Sequence, residues 1–240
     1  MPPSDVEFRL ELLQAISDWQ RDCDDRNLRT RRGQALKEAA ANLPVRYREV
    51  AGRCFRQMSL DSANLWRLAT ETELPETISS WSTSFEVVQW FKRGVPPAGD
   101  WQGLIWTVLP SPDQVVINLE ALFADSEFCE AYEAAAPRIA HFHSGMGRYE
   151  GTQREVVLEI QRLPVAAVEA MGGYSSDRER MARILFLDSG PGALAALDEL
   201  LARAGRQLGP KWVTGAAKDR TLARMLDWAA DLRRNHPGAY

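Results

Sequence analysis

Leu43-Pro44 marks the point where the chain can no longer continue as a helix, because proline lacks the amide donor and its ring pushes the preceding residue out of the helical region. Before it, Phe8, Leu12, Ile16 and Trp19 recur at helical spacing on one face, behind a Ser4 suited to cap a helix. A charged turn around Asp22 to Arg26 leads to a second helical stretch near Thr30 to Asn42. Beyond Pro44 the patterning changes to that of strands, and beyond Pro164 it turns helical again. This bracketing predicts a single α+β domain with a helical lead over 1–43, a mixed core over 44–165 and a helical tail over 166–240.

Within the core, Cys54 to Met58 is a short strand candidate and Asp61 to Thr70 a short helix packing through Leu65, Trp66 and Leu68. Thr77 to Trp81 is β-prone. A helix is expected from Phe85 to Lys92, with Phe85, Val88 and Phe91 on one face, stopped by Gly94 and Pro96-Pro97. Two strands, Leu104 to Leu109 and Gln114 to Leu119, are joined by the turn Pro110-Ser111-Pro112-Asp113. Glu120 to Ala135 reads as one helix and Arg138 to His143 as a strand. The glycine-rich Ser144 to Gly151 reads as a mobile loop feeding a strand from Glu155 to Gln161. Three helices are expected in the tail: Asp177 to Leu187, Gly192 to Ala204 and Lys218 to Arg234, with a further break at Gly209-Pro210.

Several function classes are excluded early. Cys23, Cys54 and Cys129 are odd in number, widely spaced and in no CxxC arrangement, which argues for reduced thiols rather than a disulfide framework or a structural metal. His141 and His143 would share one strand face, but no third ligand accompanies them at suitable spacing. No P-loop, GxGxxG or Ser/His/Asp context is present. The chain has no apolar run of membrane-spanning length, and its first twenty residues are acidic and amphipathic rather than signal-like, so a soluble, cytoplasmic chain with no membrane partner is expected. The net charge of -4 is unevenly spread: residues 21–56 hold ten basic against five acidic residues, and residues 57–130 hold three against eleven. Residues 202–240 hold eight against three, and basic ends suit an anionic partner such as RNA or NAD, although paired charges on solvated helices are the commoner cause.

Three polar elements occur in a defined order. Arg56, in Phe-Arg-Gln, lies on the first strand; Ser82-Thr83-Ser84 closes a strand just before a helix; Gln153-Arg154-Glu155 opens a later strand after the glycine-rich stretch. Alone, each has an ordinary reading, Arg56 as a surface arginine on an edge strand and the serines as a helix cap. In this order they resemble the Arg/Ser-Thr-Ser/Glu branch of the mono-ADP-ribosyltransferases, which contains many bacterial toxins and effectors, over roughly residues 50 to 162.

The resemblance implies an ADP-ribosyltransferase-like mixed sheet around an NAD cleft, flanked by N- and C-terminal helices, with NAD as co-substrate and no metal. Arg56 would clamp the NAD pyrophosphate with its planar fork. Arg46 and Arg53 compete for that role, because Gln57 stands where the family has a small residue. Ser82 would hold the catalytic glutamate and the nicotinamide ribose, with Thr83 bracing the strand and Ser84 capping the next helix. Phe91, with Phe85 and Trp90, would wall the nicotinamide, with core packing the alternative role for at least two of the three. Glu155 would accept a hydrogen bond from the ribose 2'-hydroxyl and stabilise the cation formed as nicotinamide leaves. Gln153, on the same face of an extended chain, argues against arginine as acceptor, and Tyr149 sits where the family's acceptor-recognition loop carries an aromatic residue. Glu150 is a rival carboxylate on a turn. The implied activity is transfer of ADP-ribose from NAD to a macromolecular acceptor, a non-arginine protein side chain or a nucleic-acid base. NAD hydrolysis and a non-catalytic binding protein are the alternatives. The terminal helices either complete the core or take a regulatory partner such as an antitoxin.

Overall fold

The computed structural model of the chain describes residues 8–23, 25–91, 102–149, 151–172, 178–204 and 212–235. The expectations at Ser4, Lys92 to Pro97, Glu150, Asp177 and Gly209-Pro210 lie outside the described residues. The architecture is mixed α+β: helices and a seven-stranded antiparallel sheet. In chain order the elements are α1 (Leu10–Gln20), α2 (Arg26–Ala40), β1 (Cys54–Leu60), α3 (Ser62–Glu71), β2 (Glu73–Pro75), β3 (Ile78–Ser82) and α4 (Phe85–Val88). There follow β4 (Gln102–Val108), β5 (Val115–Asn118), α5 (Leu119–Phe123), α6 (Ser126–Ala135), α7 (Met146–Tyr149), β6 (Glu155–Glu159) and β7 (Arg162–Pro164). The last are β8 (Val168–Gly172), α8 (Arg178–Phe186), α9 (Pro191–Arg203), β9 (Trp212–Thr214) and α10 (Gly215–Asn235). The sheet order is β5-β6-β3-β1-β4-β8-β9, and β2 with β7 forms a two-stranded ribbon. The chain divides into two compact units, residues 1–56, 75–87 and 108–163, and residues 57–74, 88–107 and 164–240.

In the first unit, β6 is paired on both sides, with β3 from Ile78↔Glu159 to Ser82↔Glu155 and with β5 at Val115↔Leu158 and Asn118↔Val156. A strand hydrogen-bonded on both edges and covered on both faces is continuously apolar rather than alternating, which is why Val156-Val157-Leu158 is buried throughout. The covering layer comes from α1 and α2. Leu12, Leu13, Ile16 and Trp19 of α1 and Leu36 and Ala40 of α2 join Ile78, Ile117 and Val157 of the sheet and Leu122, Phe128 and Tyr132 of α5 and α6 in one core. At roughly 1.5–3 kcal/mol per buried large side chain, α1 is a fixed part of this unit. One glycine enforces its position: a Cβ on Gly145 would lie 2.3 Å from the Ser17 carbonyl oxygen, so only glycine permits α1 to lie against the turn before α7.

In the second unit, β8 pairs with β4 and β9. Helix α10 packs on α3, β8 and β9, with Lys218 Nζ donating to the Val168 carbonyl at 2.8 Å and Trp66 meeting Trp228 edge to face at 5.8 Å. Helices α8 and α9 meet through Ala182, Ala193 and Leu197.

Several expectations are corrected. The helix expected over Glu120 to Ala135 is two helices, because the Asp125 carboxylate accepts from the Glu127 amide at 2.9 Å and starts α6 anew as its cap. The strand expected over Arg138 to His143 does not form: Ala136–Arg138 and Phe142–Ser144 are 3-10 turns, and His141 has a left-handed φ of 59°. Strand alternation therefore does not apply to His141 and His143, and among the described residues no three His, Cys, Asp or Glu side chains gather as a metal site. The expected mobile loop holds the helical turn α7, and the helix from Phe85 ends at Val88. Strands β8 and β9 lie in the tail expected to be helical. Among the described residues, no helix is long and apolar enough to cross a membrane.

Candidate functional site

Glu155 opens β6, directly opposite Ser82 of β3. The chain reaches it through a tight turn in which the Arg154 amide donates to the Gly151 carbonyl at 3.0 Å, with φ of 76° at Gly151 and 49° at Arg154. The Thr83 amide then donates to the Arg154 carbonyl at 3.1 Å, which locks that turn to the end of β3.

The Glu155 carboxyl is 5% exposed and engaged on both oxygens. Its Oε1 accepts from Ser80 Oγ at 2.5 Å and from Trp19 Nε1 at 3.0 Å, and its Oε2 accepts from Gln20 Nε2 at 2.8 Å. Ser80 is the diagonal cross-strand neighbour of Glu155, two residues before its direct partner, so both side chains stand on one face of the sheet. Trp19 and Gln20 are the last two residues of α1, the helix held down by the core and by Gly145.

Arg56 on β1 joins the same cluster through Ser80. Its Nη1 donates to the Ser80 carbonyl at 2.8 Å, and its Nε lies 3.3 Å from Glu76 Oε2, with both side chains of that ion pair largely buried. Burial pushes the guanidinium pKa down and Arg29 adds to that push, while the opposing carboxylates of Glu76 and Glu155 work against it. Ser80 thus links the two groups, its backbone to Arg56 and its hydroxyl to Glu155.

Within Ser82-Thr83-Ser84 the expectation fails at Ser82. Ser82 Oγ donates to the Gln153 carbonyl at 2.8 Å and does not hold Glu155; that contact belongs to Ser80. Thr83 Oγ1 donates to Glu120 Oε2, and the other oxygen of Glu120 takes Arg154 Nε at 2.5 Å. Ser84 caps the next helix, accepting from the Val87 amide at 3.3 Å. Gln153 is also corrected: the left-handed backbone at Arg154 interrupts the alternation that would have put Gln153 on the face of Glu155. Burial raises the Tyr149 hydroxyl pKa, and Arg148 and Gln153 work against that rise. The Arg148 guanidinium lies 5.0 Å from the Tyr149 ring centre and pairs with Asp22. Of the rival arginines, Arg46 stacks over the Tyr47 ring at 4.6 Å, and Arg53 precedes β1. Phe91 is half-buried and belongs to the second unit.

Five residues that touch the site escaped the sequence reading: Ser80, Trp19, Gln20, Glu76 and Glu120. Ser80 carried a signal, since it lies two residues from Ser82 on the same strand and so on the same face. Gln20 and Trp19 carried none, being separated from Glu155 by 135 and 136 positions and joined to it only by the packing of α1. The chain matches no protein-family model, and no curated protein and no solved structure aligns with it significantly.

Proposed function

We propose that this chain is an ADP-ribosyltransferase-like enzyme that cleaves NAD at its nicotinamide–ribose bond and transfers ADP-ribose to a macromolecular acceptor. One observation carries the reading: Arg56, Ser80 and Glu155, on the adjacent strands β1, β3 and β6, are tied into one cluster through the two polar groups of Ser80. Adjacent strands hold these groups on rigid backbone, which is what a preorganised site needs.

The chemistry asked of them is modest. The 2'-hydroxyl of the nicotinamide ribose donates to Glu155, and the carboxylate stabilises the positive charge that builds on the ribose as the C1'–N bond breaks. The bonding pair leaves with nicotinamide. A nucleophilic atom of the acceptor then forms the new bond to C1' and loses its proton. Arg56 has five N–H donors, and those not spent on Ser80 and Glu76 are available to phosphate oxygens. Tyr149 and Gln153, on the turn that leads into β6, are the acceptor-side residues. Because Glu155 is almost fully buried, the ribose reaches it only with local movement at the Gln20 end of α1.

That same burial favours a second reading, in which the cluster only locks α1 to the sheet and has no catalytic role. One assay separates the two. Purified protein is incubated with adenylate-labelled NAD and cell lysate, and nicotinamide release is followed by chromatography. The proposal expects release by the wild type and none by Glu155→Gln, with label recovered on protein or nucleic acid; label found only as free ADP-ribose identifies a hydrolase. Absence of nicotinamide release from folded wild type would leave the structural reading.

A further inference from the structure

We infer that Gln20 is a substrate-binding residue, and that its Oε1, together with Glu155 Oε2, forms an acceptor pair for the two neighbouring hydroxyls of a ribose. The inference deepens the NAD reading and rests on it for the identity of the ribose. Its starting point is an unpaired atom. Gln20 is 7% exposed, its Nε2 donates to Glu155 Oε2 at 2.8 Å, and its Oε1 is buried with no hydrogen-bond partner among the described residues.

The orientation of this amide is fixed. A carboxylate oxygen only accepts, so the atom facing Glu155 must be the NH2 and the oxygen must point elsewhere. A buried acceptor left without a donor destabilises the fold, and nothing about α1 requires an amide here. Glutamine helps the fold only through its donor, a task that a donor-only group such as a second indole would perform without leaving an acceptor unpaired.

Lone pairs point the same way. Glu155 Oε1 already accepts two hydrogen bonds, from Ser80 and Trp19, whereas Oε2 accepts one, from Gln20. The open acceptor positions are therefore one on Glu155 Oε2 and those on Gln20 Oε1. They are separated by one hydrogen bond and the width of one amide, the reach of two hydroxyls on neighbouring carbons of a sugar ring. With the 2'-hydroxyl on Glu155, the 3'-hydroxyl falls to Gln20. A buried water is the usual partner of such an acceptor, and a ribose hydroxyl would take its place.

The test uses the full chain and four ligands: ADP-ribose, its counterpart lacking the 3-hydroxyl of the terminal ribose, NAD, and NAD lacking the 3'-hydroxyl of the nicotinamide ribose. Binding of the first pair is measured by calorimetry and nicotinamide release from the second pair by chromatography. Two variants are compared with wild type. Gln20→Lys keeps a donor for Glu155 but has no acceptor, and Gln20→Leu removes both; circular dichroism and thermal unfolding report whether each is folded.

The wild type is expected to prefer ADP-ribose over its deoxy counterpart by about tenfold or more, and the preference is expected to fall to near one in whichever variant folds. A wild type that does not bind ADP-ribose, a preference near one in the wild type, or a preference unchanged by the Gln20 substitutions overturns the proposal. The two readings fail separately. A Gln20-dependent preference without nicotinamide release upholds the diol site and removes the transferase, whereas nicotinamide release with a preference independent of Gln20 does the reverse.

Discussion

Glu155→Gln is expected to be about as stable as the wild type, while Glu155→Ala is expected to lose several kcal/mol. The difference follows from the donors around the carboxyl. Alanine removes the acceptor of three hydrogen bonds and leaves Trp19 Nε1 and Gln20 Nε2 buried without partners, while the Ser80 hydroxyl is free to rotate toward another acceptor. Two stranded donors at about 1–3 kcal/mol each, plus the cavity, amount to about 3–5 kcal/mol. Glutamine keeps a carbonyl oxygen for Trp19 and Ser80 and places an NH2 where Oε2 was. A half-turn of the Gln20 amide then presents its Oε1 to that NH2 and turns its own NH2 to the place where Oε1 had no partner, so one unpaired buried atom is exchanged for another and the net change is small. A urea titration with the slope held common gives both values from the shift in midpoint. If Glu155→Gln loses more than about 2 kcal/mol, the Gln20 amide does not rotate as argued and the unpaired Oε1 is not the feature described. The same variant should release no nicotinamide from NAD, so activity and stability move independently.

Other consequences are as direct. Gly145→Ala drives a methyl into the Ser17 carbonyl at 2.3 Å, and an overpacking cost of about 3 kcal/mol is expected in chemical denaturation, where an unchanged midpoint would mean that α1 does not hold this position. Burial pushes the Cys54 thiol up to about 12 from its ordinary 9.0, so its contribution to stability is fully present below about pH 9 and is lost as pH rises toward 12. A wild type minus Cys54→Ala difference that shrinks at up to about 1.4 kcal/mol per pH unit over that window would show it, and a flat difference would not. Tyr47 donates to Asp125 Oδ2 at 2.5 Å, and this bond is the largest influence holding the Asp125 carboxyl below its usual range, so its stabilisation is present above about pH 4 and lost on further acidification. Tyr47→Phe should cost about 1.5–3 kcal/mol at neutral pH, measured by thermal unfolding, and the gap from wild type should narrow in acid. Ser80→Ala should lower nicotinamide release more than Ser82→Ala does, since only Ser80 touches Glu155.

The strands that carry the site were legible because their sequence was sufficient on its own. Val156-Val157-Leu158 and Val115-Val116-Ile117 are apolar runs rich in β-branched residues that have no good alternative to a covered strand, and Pro44 ends the helical lead by backbone chemistry that no tertiary contact overrides. Where the reading failed, the deciding interaction was either local and overlooked or distant. Asp125 divides one apolar helical stretch into two through a side-chain cap, which periodicity does not register. Strand β8 lacks alternation, its Ala170 and Met171 being as compatible with helix, and only pairing with β4 and β9 decides it. The left-handed Arg154 removed the geometric argument for Gln153, since two residues share a face only if the residue between them is extended.

The same distinction separates the two halves of the site. Arg56, Ser82 and Glu155 stood out because strand residues were compared with other strand residues, and the sheet does bring β1, β3 and β6 side by side. The carboxyl is nevertheless completed by the end of a helix more than 130 positions away, placed there by Leu12, Leu13 and Ile16 in the core and by the missing side chain of Gly145. A motif therefore locates the carboxylate, but the helix above it determines which of its lone pairs remain open, and hence what it can bind. On this structure the open positions are a single lone pair on Glu155 Oε2 and the amide oxygen of Gln20, a pair that two hydroxyls on neighbouring carbons would satisfy together.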